Sequence, residues 1–495
     1  MENPAMKHYL AFDLGAESGR AMLATFSDSR VQLEELHRFA NVPVRLPTGL
    51  YWDSLRLFYE IEQGLAVAGR DRRVALDGIG VDTWGVDFAL LGRDGSLVAH
   101  PMHYRDSRND GMLERTFAVV PKQEIFAQTG IQFMQLNTLY QLYAMKLAGS
   151  PGLEAADKLL FMPDLFNYWL TGVQRSELTI ASTSQFYNPV ERRWATELFE
   201  RLGLPAHILP EVVPPGTLLG PLLGHVAEGA GLGAVPVYAT AGHDTASAVA
   251  AVPAKGESWC YISSGTWSLM GVELTEPLIN ERSLELNFTN EIGAAGRIRF
   301  LKNIAGLWLL QECRRAWAVE GARYSYEELA QMAAGAPPFG PLVNPDAFLH
   351  PGEMPAKIAA FCRATGQRSP EAPGEFCRAV LESLALRYRQ VLESLESLLG
   401  GKLEVIHIVG GGSRNAVLNQ LVADATGRLV IAGPAEATAT GNVLVQAMGA
   451  GHLRGLEEAR ELVRRSFELA RFEPKPDPRW EEAYERFLRL SPTRA

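Results

Sequence analysis

The 495-residue sequence contains no apolar run long enough to span a membrane. Its first apolar stretch, Tyr9 to Phe12, ends at Asp13, so we expect no signal peptide and a cytoplasmic location. The four cysteines form no CxxC pair and have no metal-ligand spacing. Cys362 and Cys377 are near enough in sequence to meet across a loop, and a reduced pair is the expected state in the cytosol.

Positive charge is also scarce. The chain has 47 Lys and Arg against 57 Asp and Glu, a formal net charge of −10, which argues against a nucleic-acid partner. No phosphate loop of the GxxxxGKS or GxxxxGKT type occurs. An anionic substrate must therefore be held locally, by turns, helix N-termini and a metal.

Length and composition indicate a large soluble protein. The chain is too long for one ordinary domain, and its 47% hydrophobic and 21% charged residues are typical of globular proteins. Two similar segments, YLAFDLGAESGRAMLATF and WCYISSGTWSLMGVEL, each have the pattern of two strands joined by a glycine-containing turn. Their repetition predicts two lobes of related architecture, divided as residues 1–246 and 247–495.

Strands alternate with helices in much of the chain, which predicts an α/β fold. GIGVDTWGVDFALL is strand-like, EVIHIVGGGSRNAVLNQLVADATG gives a strand, a glycine turn and a helix, and RLVIAGPAEATATGNVLVQAMGAG repeats that order. The apolar spacing from Glu375 to Leu399 predicts a helix that stops at Gly400. Asp477 to Leu490 is typical of an amphipathic helix.

The segment AGHDTASAVA places a single carboxylate, Asp244, among small residues. Small neighbours let a backbone or a ligand approach closely, which favours a chemical role for Asp244. The segment is also typical of a helix start, with Asp244 or Thr245 as the N-cap. The two interpretations are compatible, because one residue can open a helix and act as a base.

Three glycine-containing turns have the composition of anion sites. In the first, Gly15 to Gly19, backbone N–H groups would hold phosphate, Arg20 would reach it, and Asp13 at the rim would suit Mg²⁺. Ser264-Gly265-Thr266 repeats the pattern with hydroxyls. Gly410 to Gly412 opens a helix, whose N-terminus favours negative charge. Taken singly, each is also consistent with a plain turn.

Taken together, these segments resemble the FGGY carbohydrate kinases. The resemblance rests on DLGAESGR, GIGVDTWGVDFALL, HYRDSR, GIQF, LNTLYQL, MPDLF, HDTASAV, SSGTWSLMG, LKNIAGLWLLQ and HIVGGGSRN, and it runs from about Tyr9 to about Gly449. It implies the two-lobed fold of sugar kinases, Hsp70 and actin-like ATPases, with duplicated ribonuclease H-like domains and a central cleft. It further implies that the first lobe binds the sugar and carries the first phosphate loop, while the second binds the nucleotide.

The resemblance implies an enzyme whose small-molecule partners are ATP and a sugar, with Mg²⁺ as the cofactor. Within the family, the segments are most similar to members that convert L-rhamnulose into L-rhamnulose 1-phosphate in L-rhamnose catabolism. Another ketose, namely fuculose, xylulose or ribulose, is the alternative substrate. A non-enzymatic chaperone or filament protein of the same broad fold would have no need for Asp244. A monomer and a homodimer are both compatible with the sequence.

The same resemblance assigns site residues by their match to family motifs. Asp244 matches the catalytic base, and Asp13 matches the acid associated with Mg²⁺. The sugar-binding positions are Gly85, His243, Asp244, Thr245 and Asn303. The ATP-binding positions are Ala16, Glu17, Ser18, Gly19, Arg20, Thr266, Gln311 and Gly411. Glu17 stands where many relatives have a small hydroxyl residue, so we expect it to point away from the nucleotide or to join the metal shell.

Three side chains around the expected sugar pocket have two interpretations each. Trp84 is either an apolar wall for the methyl group of a deoxysugar or a core residue. Arg108 either binds sugar hydroxyls or pairs with Asp106 and Asp110, and we favour the ion pair. For His103 we favour a structural role over a functional one.

Overall fold

The computed structural model describes residues 6–27 and 29–490. The chain forms two compact units. The first comprises Met1–Ala251, Glu273–Phe300 and Ala437–Ser466, and the second comprises Val252–Val272, Leu301–Glu436 and Phe467–Ala495. Both contain strands and helices, so the predicted α/β fold is confirmed. The division into a sugar lobe and a nucleotide lobe at residue 246 stays a prediction.

The elements up to residue 251 belong to the first unit. Its strands there are β1 (Lys7–Leu14), β2 (Ser18–Phe26), β3 (Val31–Ala40), β4 (Val44–Leu46), β5 (Gly49–Tyr51), β6 (Gly78–Thr83), β7 (Phe88–Leu91), β8 (Lys158–Phe161), β9 (Ser176–Glu177), β10 (Tyr187–Asn188), β11 (Arg193–Trp194), β12 (Val212–Val213), β13 (Thr217–Pro221) and β14 (Pro236–Ala239). Its helices there are α1 (Ser54–Ala66), α2 (Met112–Phe117), α3 (Lys122–Thr129), α4 (Thr138–Leu147), α5 (Pro151–Glu154), α6 (Met162–Thr171), α7 (Leu178–Ala181), α8 (Thr196–Leu202), α9 (Gly224–Ala230) and α10 (Asp244–Ala250).

The elements beyond residue 251 are divided between the two units. The strands are β15 (Trp259–Ser264), β16 (Trp267–Leu274), β17 (Thr289–Ile292), β18 (Ile298–Ala305), β19 (Val405–Val409), β20 (Leu429–Ala432) and β21 (Ala470–Phe472). The helices are α11 (Glu281–Glu285), α12 (Trp308–Val319), α13 (Tyr326–Gly335), α14 (Met354–Ala364), α15 (Pro373–Leu399), α16 (Ala416–Thr426), α17 (Ala437–Gly449), α18 (Leu456–Ser466) and α19 (Arg479–Leu490).

The first unit is built on a mixed sheet with the strand order β13-β14-β6-β1-β2-β3. Strands β1 and β2 form the predicted antiparallel hairpin, in which Asp13 lies opposite Arg20. The turn is closed by a 2.9 Å hydrogen bond from the Gly15 N–H to the Ser18 carbonyl. On its other edge β1 runs parallel to β6, and β6 runs parallel to β14. The carboxyl ends of these three strands therefore lie along one edge of the sheet.

Helix α1 covers one face of this sheet with an apolar stripe. Leu57, Ile61 and Leu65 recur at helical spacing, and all three are buried. Gly64 in the same stripe has no side chain because a Cβ atom there would overlap Phe12. The sequence pattern thus sets both the helix and how closely it approaches β1, the strand that carries Asp13.

Helices α10 and α17, both in the first unit, cross at very close range. A methyl group at Gly441 of α17 would overlap the carbonyl oxygen of Ser247 in α10. Ala246 and Ala250 of α10 share a buried apolar cluster with Val445 of α17. Small residues on both helices are what permit this approach.

The second unit carries a sheet in which β18 from Leu301 onward, β16 as far as Val272, β15, β19, β20 and β21 follow one another. Strands β15 and β16 form the second predicted hairpin. Strand β15 runs parallel to β19, with Ser263 opposite Val409, so the turns that follow both strands lie at one edge. Helix α15 ends where predicted, because Gly400 adopts a left-handed φ of 69°. The predicted C-terminal helix is α19.

The four cysteines are free and buried, as expected for a reduced protein. Cys362 and Cys377, the pair considered for a loop-closing bridge, are among them. Within residues 6–27 and 29–490, no helix combines the length and the apolar character that crossing a membrane requires.

Candidate active site

Three carboxylates of the first unit lie at the carboxyl-end edge of its sheet. Asp13 near the end of β1 stands opposite Asp82 of β6, and Asp244 begins α10, the helix that follows β14. Burial raises the pKa of Asp82 well above its usual range, and the charges of Asp13 and Asp244 add to that rise. The proximity of these acids favours a site for a cation or for proton transfer.

Asp82 is a candidate that sequence reasoning did not assign to the site. Its side chain is fully buried, and its Oδ2 accepts a 2.6 Å hydrogen bond from Asn442 Nδ2 of α17. Gln446 in turn donates to Asn442 Oδ1 at 2.7 Å. Asp82 Oδ1 has no hydrogen-bond partner among the residues that the structure describes. A charged side chain near the end of an otherwise apolar strand is the sequence signal that could have found it.

Asp244 lies at the start of a helix, and one of its two carboxylate oxygens accepts hydrogen bonds from the protein. It is the first residue of α10, and the N-cap is His243 rather than Asp244 or Thr245 as predicted. Asp244 Oδ1 accepts hydrogen bonds from the Thr245 N–H at 2.6 Å and from Thr245 Oγ1 at 3.0 Å. Its Oδ2 receives no hydrogen bond from the described part of the chain. Burial raises the pKa of Asp244, and the charge of Asp13 raises it further, while His243 and Thr245 oppose that rise. Oδ2 is therefore the oxygen available to take a proton.

The backbone before Asp244 is held by a buried acid, Glu177, which the sequence analysis missed. Glu177 Oε2 accepts a 2.9 Å hydrogen bond from the Gly242 N–H. The same carboxylate accepts hydrogen bonds from the Thr179 and Ile180 N–H groups and from the Thr179 hydroxyl. Burial raises the pKa of Glu177 to about 7, and these donors oppose that rise. Glu177 thus ties α7 to the turn that presents Asp244.

His243 lies between Asp244 and a buried ion pair. Its Nε2 is 3.5 Å from Asp244 Oδ1. Its Nδ1 is 2.9 Å from the Arg299 NH2 nitrogen and 3.3 Å from Glu291 Oε2. An ideal Cβ built on Gly85 would be 3.2 Å from His243 Nε2, which is closer than side chains normally pack, so glycine lets the ring lie close to the backbone here. The structure therefore brings four of the predicted sugar-binding positions together in the first unit.

The first predicted phosphate turn is a plain hairpin turn in its backbone, and its charged residues have other contacts. Arg20 NH2 donates a 2.5 Å hydrogen bond to Asp13 Oδ2. Glu17 is exposed, while Ala16 and Ser18 are half-buried. Gly19 packs under the ring of Phe39, which leaves no room for a Cβ atom.

Trp84 has the surroundings of a core residue. It is 5% exposed, its ring centroid is 4.0 Å from that of Trp52, and its Nε1 donates to Asp87 Oδ2 at 3.0 Å. Burial raises the pKa of Asp87 to about 6, although its hydrogen bonds oppose the rise. His103 stacks on Trp52 with a centroid distance of 4.1 Å, a packing contact of the kind that a structural role requires.

The ion pair expected for Arg108 was wrong. No pairing of its guanidinium with Asp106 or Asp110 occurs among the described residues, and its NH2 instead donates to Gln141 Oε1 at 2.7 Å. Asp106 Oδ1 accepts the backbone N–H of Arg108, not its side chain. Asp106 and Asp110 are close to Arg108 in sequence, which made an ion pair plausible. In the structure the guanidinium lies in the interior and donates to Gln141 of α4.

In the second unit, the turn Ser264-Gly265-Thr266 supports the start of α12. The Gly265 carbonyl accepts the Leu307 N–H at 3.0 Å, and the Thr266 carbonyl accepts the Trp308 N–H at 3.1 Å. Gln311 lies one turn into that helix, and its Oε1 is buried with no hydrogen-bond partner in the described part of the chain. The predicted nucleotide contacts Thr266 and Gln311 therefore belong to one local structure.

In the third glycine turn, Gly410 to Gly412, one glycine is needed for close packing and another has open space beside it. A Cβ atom on Gly412 would overlap the Ser264 hydroxyl, and Gly410 has a left-handed φ of 82°. A Cβ atom on Gly411 would meet no atom within 4 Å. Gly411 is therefore the glycine of the three whose backbone an outside group can approach.

Asn303, the remaining predicted sugar contact, is a half-buried residue of β18 in the second unit. Its neighbour Lys302 is also half-buried, and loss of solvation, together with the charge of Arg387, lowers the pKa of Lys302 to about 7. Among residues 6–27 and 29–490, no group of three or more His, Cys, Asp or Glu side chains is arranged to hold a metal ion by itself.

Comparison with protein families gives two matches that together cover most of the chain. Residues 8–251 match the N-terminal domain of the FGGY family of carbohydrate kinases, and residues 260–450 match its C-terminal domain.

Among curated proteins, a rhamnulokinase of Bacteroides thetaiotaomicron is 46% identical over 484 residues, which are 97% of this chain and 99% of the relative. A rhamnulokinase of Oceanobacillus iheyensis is 40% identical over 462 residues, which are 93% of this chain and 97% of the relative.

Solved structures share the fold at low sequence identity. Gluconate kinase from Lactobacillus acidophilus superposes with a TM-score of 0.79 at 15% identity, covering 98% of this chain and 97% of that one. Plasmodium falciparum glycerol kinase with ADP superposes with a TM-score of 0.77 at 16% identity, covering 98% of each chain.

Proposed function

The chain belongs to the FGGY family of carbohydrate kinases, and we propose that it transfers the γ-phosphate of ATP to the 1-hydroxyl of L-rhamnulose. The products are L-rhamnulose 1-phosphate and ADP, a step of L-rhamnose catabolism in the cytoplasm. The choice of sugar is supported by curated rhamnulokinases that are similar to nearly the whole chain.

The observation that carries the proposal is the environment of Asp244. A group that takes a proton from an attacking hydroxyl needs an ionised oxygen facing the substrate. Oδ1 of Asp244 is occupied by Thr245, which leaves Oδ2 for the hydroxyl. An aspartate is a weak base, but in a loose phosphoryl-transfer transition state the proton leaves late. Asp244 first orients the hydroxyl and then accepts its proton.

Sugar recognition is assigned to the residues beside Asp244. His243 and Thr245 flank the base, and Gly85 lies close to the His243 ring, where a side chain would crowd it. Asn303 is the expected sugar contact from the second unit. Each supplies either a hydrogen-bonding group or room for a polar ligand, as sugar sites require.

We assign nucleotide binding in the second unit to Thr266, Gln311 and Gly411. The open face of Gly411 and the unpartnered oxygen of Gln311 support this assignment. In the first unit, the turn from Ala16 to Arg20 is the proposed first phosphate loop. Its contribution would come mainly from backbone N–H groups, since Arg20 is engaged with Asp13.

The proposed cofactor is Mg²⁺, with Asp13 as its protein ligand. The residues fit such an ion, because Mg²⁺ takes one or two carboxylates plus phosphate and water oxygens rather than a complete protein cage. The neighbouring Asp82 has an oxygen, Oδ1, without a hydrogen-bond partner among the described residues, which is a further oxygen at the same place. When bound, Mg²⁺ would neutralise the charge that develops on the phosphates.

An ADP-release assay over a panel of ketoses tests the proposal. L-rhamnulose, L-fuculose, D-xylulose and D-ribulose are each supplied with ATP and Mg²⁺, and kcat/KM is compared. We expect the largest kcat/KM with L-rhamnulose. A larger kcat/KM for another ketose would change the proposed substrate and leave the proposed kinase activity intact. A rate of ADP release that does not depend on any ketose would contradict the proposed kinase activity.

A further inference from the structure

Arg299 contacts the residue next to the proposed base, although it lies more than fifty positions further along the chain. It stands on β18, close to the hairpin turn that joins β17 and β18, and its side chain is completely buried. Its NH2 nitrogen donates to Glu291 Oε2 at 2.9 Å and lies 2.9 Å from His243 Nδ1. Its Nε faces the Ile292 carbonyl at 3.4 Å. All these residues belong to the first unit.

The contact between Arg299 and His243 restricts where the imidazole can carry its proton. A guanidinium has donors and no acceptor, and it stays protonated in proteins. A 2.9 Å approach of its NH2 group to Nδ1 is attractive when Nδ1 holds a lone pair and repulsive when Nδ1 holds a hydrogen. The NH2 group has two hydrogens, which suffice for Glu291 and for Nδ1.

Glu291 is the competing partner. A protonated Nδ1 would donate to Glu291 Oε2, but that distance is 3.3 Å, which is longer than the contact with Arg299. Glu291 already accepts the charged hydrogen bond from Arg299, and Arg299 together with His243 lowers the pKa of Glu291 against the effect of burial. Glu291 thus balances the guanidinium charge, which would otherwise be buried alone.

We propose that Arg299 is a positioning residue that fixes neutral His243 with its hydrogen on Nε2. This proton then faces Asp244 Oδ1, 3.5 Å away. Three donors converge on the Oδ1 side of Asp244, namely the Thr245 N–H, the Thr245 hydroxyl and His243 Nε2–H. Oδ2 is left as the acceptor for the sugar hydroxyl. This last consequence rests on the proposed function, whereas the tautomer itself does not.

The test is a nitrogen NMR spectrum of the full-length protein labelled with ¹⁵N-histidine. The chain has ten histidines, and the signals of His243 are identified by their loss in His243→Gln. We expect Nδ1 to resonate as an unprotonated ring nitrogen and Nε2 as a protonated one. A protonated Nδ1 in the wild type, in either the neutral or the charged ring, would overturn the proposal without any need for a variant.

Variants separate positioning from simple structural support. Arg299→Lys keeps a charged donor, so we expect it to retain the Nε2–H tautomer and most of the activity. The double variant Arg299→Met with Glu291→Leu removes both buried charges together, which avoids leaving one of them unpaired. We expect both tautomers in its spectrum and a fall in kcat of about tenfold, with an unchanged KM for ATP. An unchanged tautomer in a folded double variant would contradict the proposal.

Arg297→Met is the matched control, because Arg297 is an exposed residue of the same hairpin turn. We expect it to leave the His243 signals and kcat unchanged. The NMR readout needs no sugar, so it distinguishes two failures. An Nε2–H tautomer in a protein that ignores L-rhamnulose rejects the proposed substrate and keeps the role of Arg299. A protonated Nδ1 in a protein that phosphorylates L-rhamnulose rejects the role of Arg299 and keeps the proposed substrate.

Discussion

The two units build their proposed ligand sites from different materials. In the first unit, carboxylates and an ion pair are buried around Asp244, with Asp82 and Arg299 each completely enclosed. In the second unit, the corresponding turns consist of glycine and hydroxyl residues, and the neutral amide oxygen of Gln311 is among the buried atoms without a hydrogen-bond partner in the described part of the chain. Charges are concentrated where a proton must move, while small neutral groups serve where a phosphate chain must be admitted.

This contrast teaches that the two sites differ in what they can tolerate. A buried charge network depends on every partner, because removing one member leaves another uncompensated. A glycine turn depends on space, so a single methyl group decides between packing and access. Changes in the first unit should therefore affect turnover most, and changes in the second should affect nucleotide affinity most.

The largest effect is expected from Asp244→Asn, which removes the proton acceptor and keeps the shape of the side chain. We expect kcat to fall about a thousandfold while ATP still binds, because an amide cannot act as a general base. ADP release measures the first quantity and titration calorimetry the second. Asp94→Asn, at an exposed turn position, should behave as the wild type. Near-normal turnover in Asp244→Asn would contradict the role of Asp244 as the base, and with it the contrast between the two units.

Glu177→Gln tests whether the turn before Asp244 needs a carboxylate. In the wild type, backbone N–H groups donate to both oxygens of Glu177. The amide of glutamine replaces one of these acceptors with a donor, so we expect the free energy of unfolding to fall by about 2 kcal/mol. We also expect a fall in kcat of about tenfold, since Asp244 is displaced. Urea unfolding and ADP release measure the two effects, with exposed Glu200→Gln as control. Unchanged kcat would show that Glu177 supports the fold alone.

Gly411→Ala and Gly412→Ala form a matched pair in the second unit. The methyl of Gly412→Ala overlaps Ser264, so we expect about 2 kcal/mol lower stability from overpacking. The methyl of Gly411→Ala stands in open space, so stability should change by less than about 0.5 kcal/mol. We expect Gly411→Ala to weaken ATP binding about fivefold by blocking close approach of the nucleotide. Equal affinity for ATP in Gly411→Ala and the wild type would place the nucleotide elsewhere.

The smallest effect is expected from Thr266→Val, which removes a hydroxyl and keeps the backbone carbonyl that accepts the Trp308 N–H. We expect ATP affinity to fall by about 1 kcal/mol, the value of one hydrogen bond, and sugar affinity to stay unchanged. Separate titrations with ATP and with L-rhamnulose measure this. Equal losses of affinity for ATP and for L-rhamnulose would contradict the assignment of Thr266 to the nucleotide alone.

Local pattern was sufficient to predict much of the fold. Both hairpins, the glycine-terminated helix α15 and the helix that begins at Asp244 follow from periodicity and turn chemistry, which act over a few neighbouring residues. The resemblance to a family directed attention to Asp244 and His243, and the structure brings them together with Thr245 and Gly85.

Partners that are distant in sequence could not be predicted in the same way. Glu177, Glu291 and Arg299 reach the site through tertiary packing, and no spacing rule connects them with His243. Their sequence signal was a charged residue inside an apolar strand or before a short helix, which is weak without a partner. The Arg108 prediction failed for the same reason, because its acceptor Gln141 is 33 positions away.

The contact of Gly441 with Ser247 has a consequence for how the protein is made. Residues 437–466 belong to the first unit, so the helix that carries Asp244 lacks its packing partner until synthesis has passed that segment. A nascent chain ending at Ala251 would display the small-residue face of α10 to solvent or to chaperones. The order of translation thus makes the proposed catalytic base one of the last features of the first unit to become fixed.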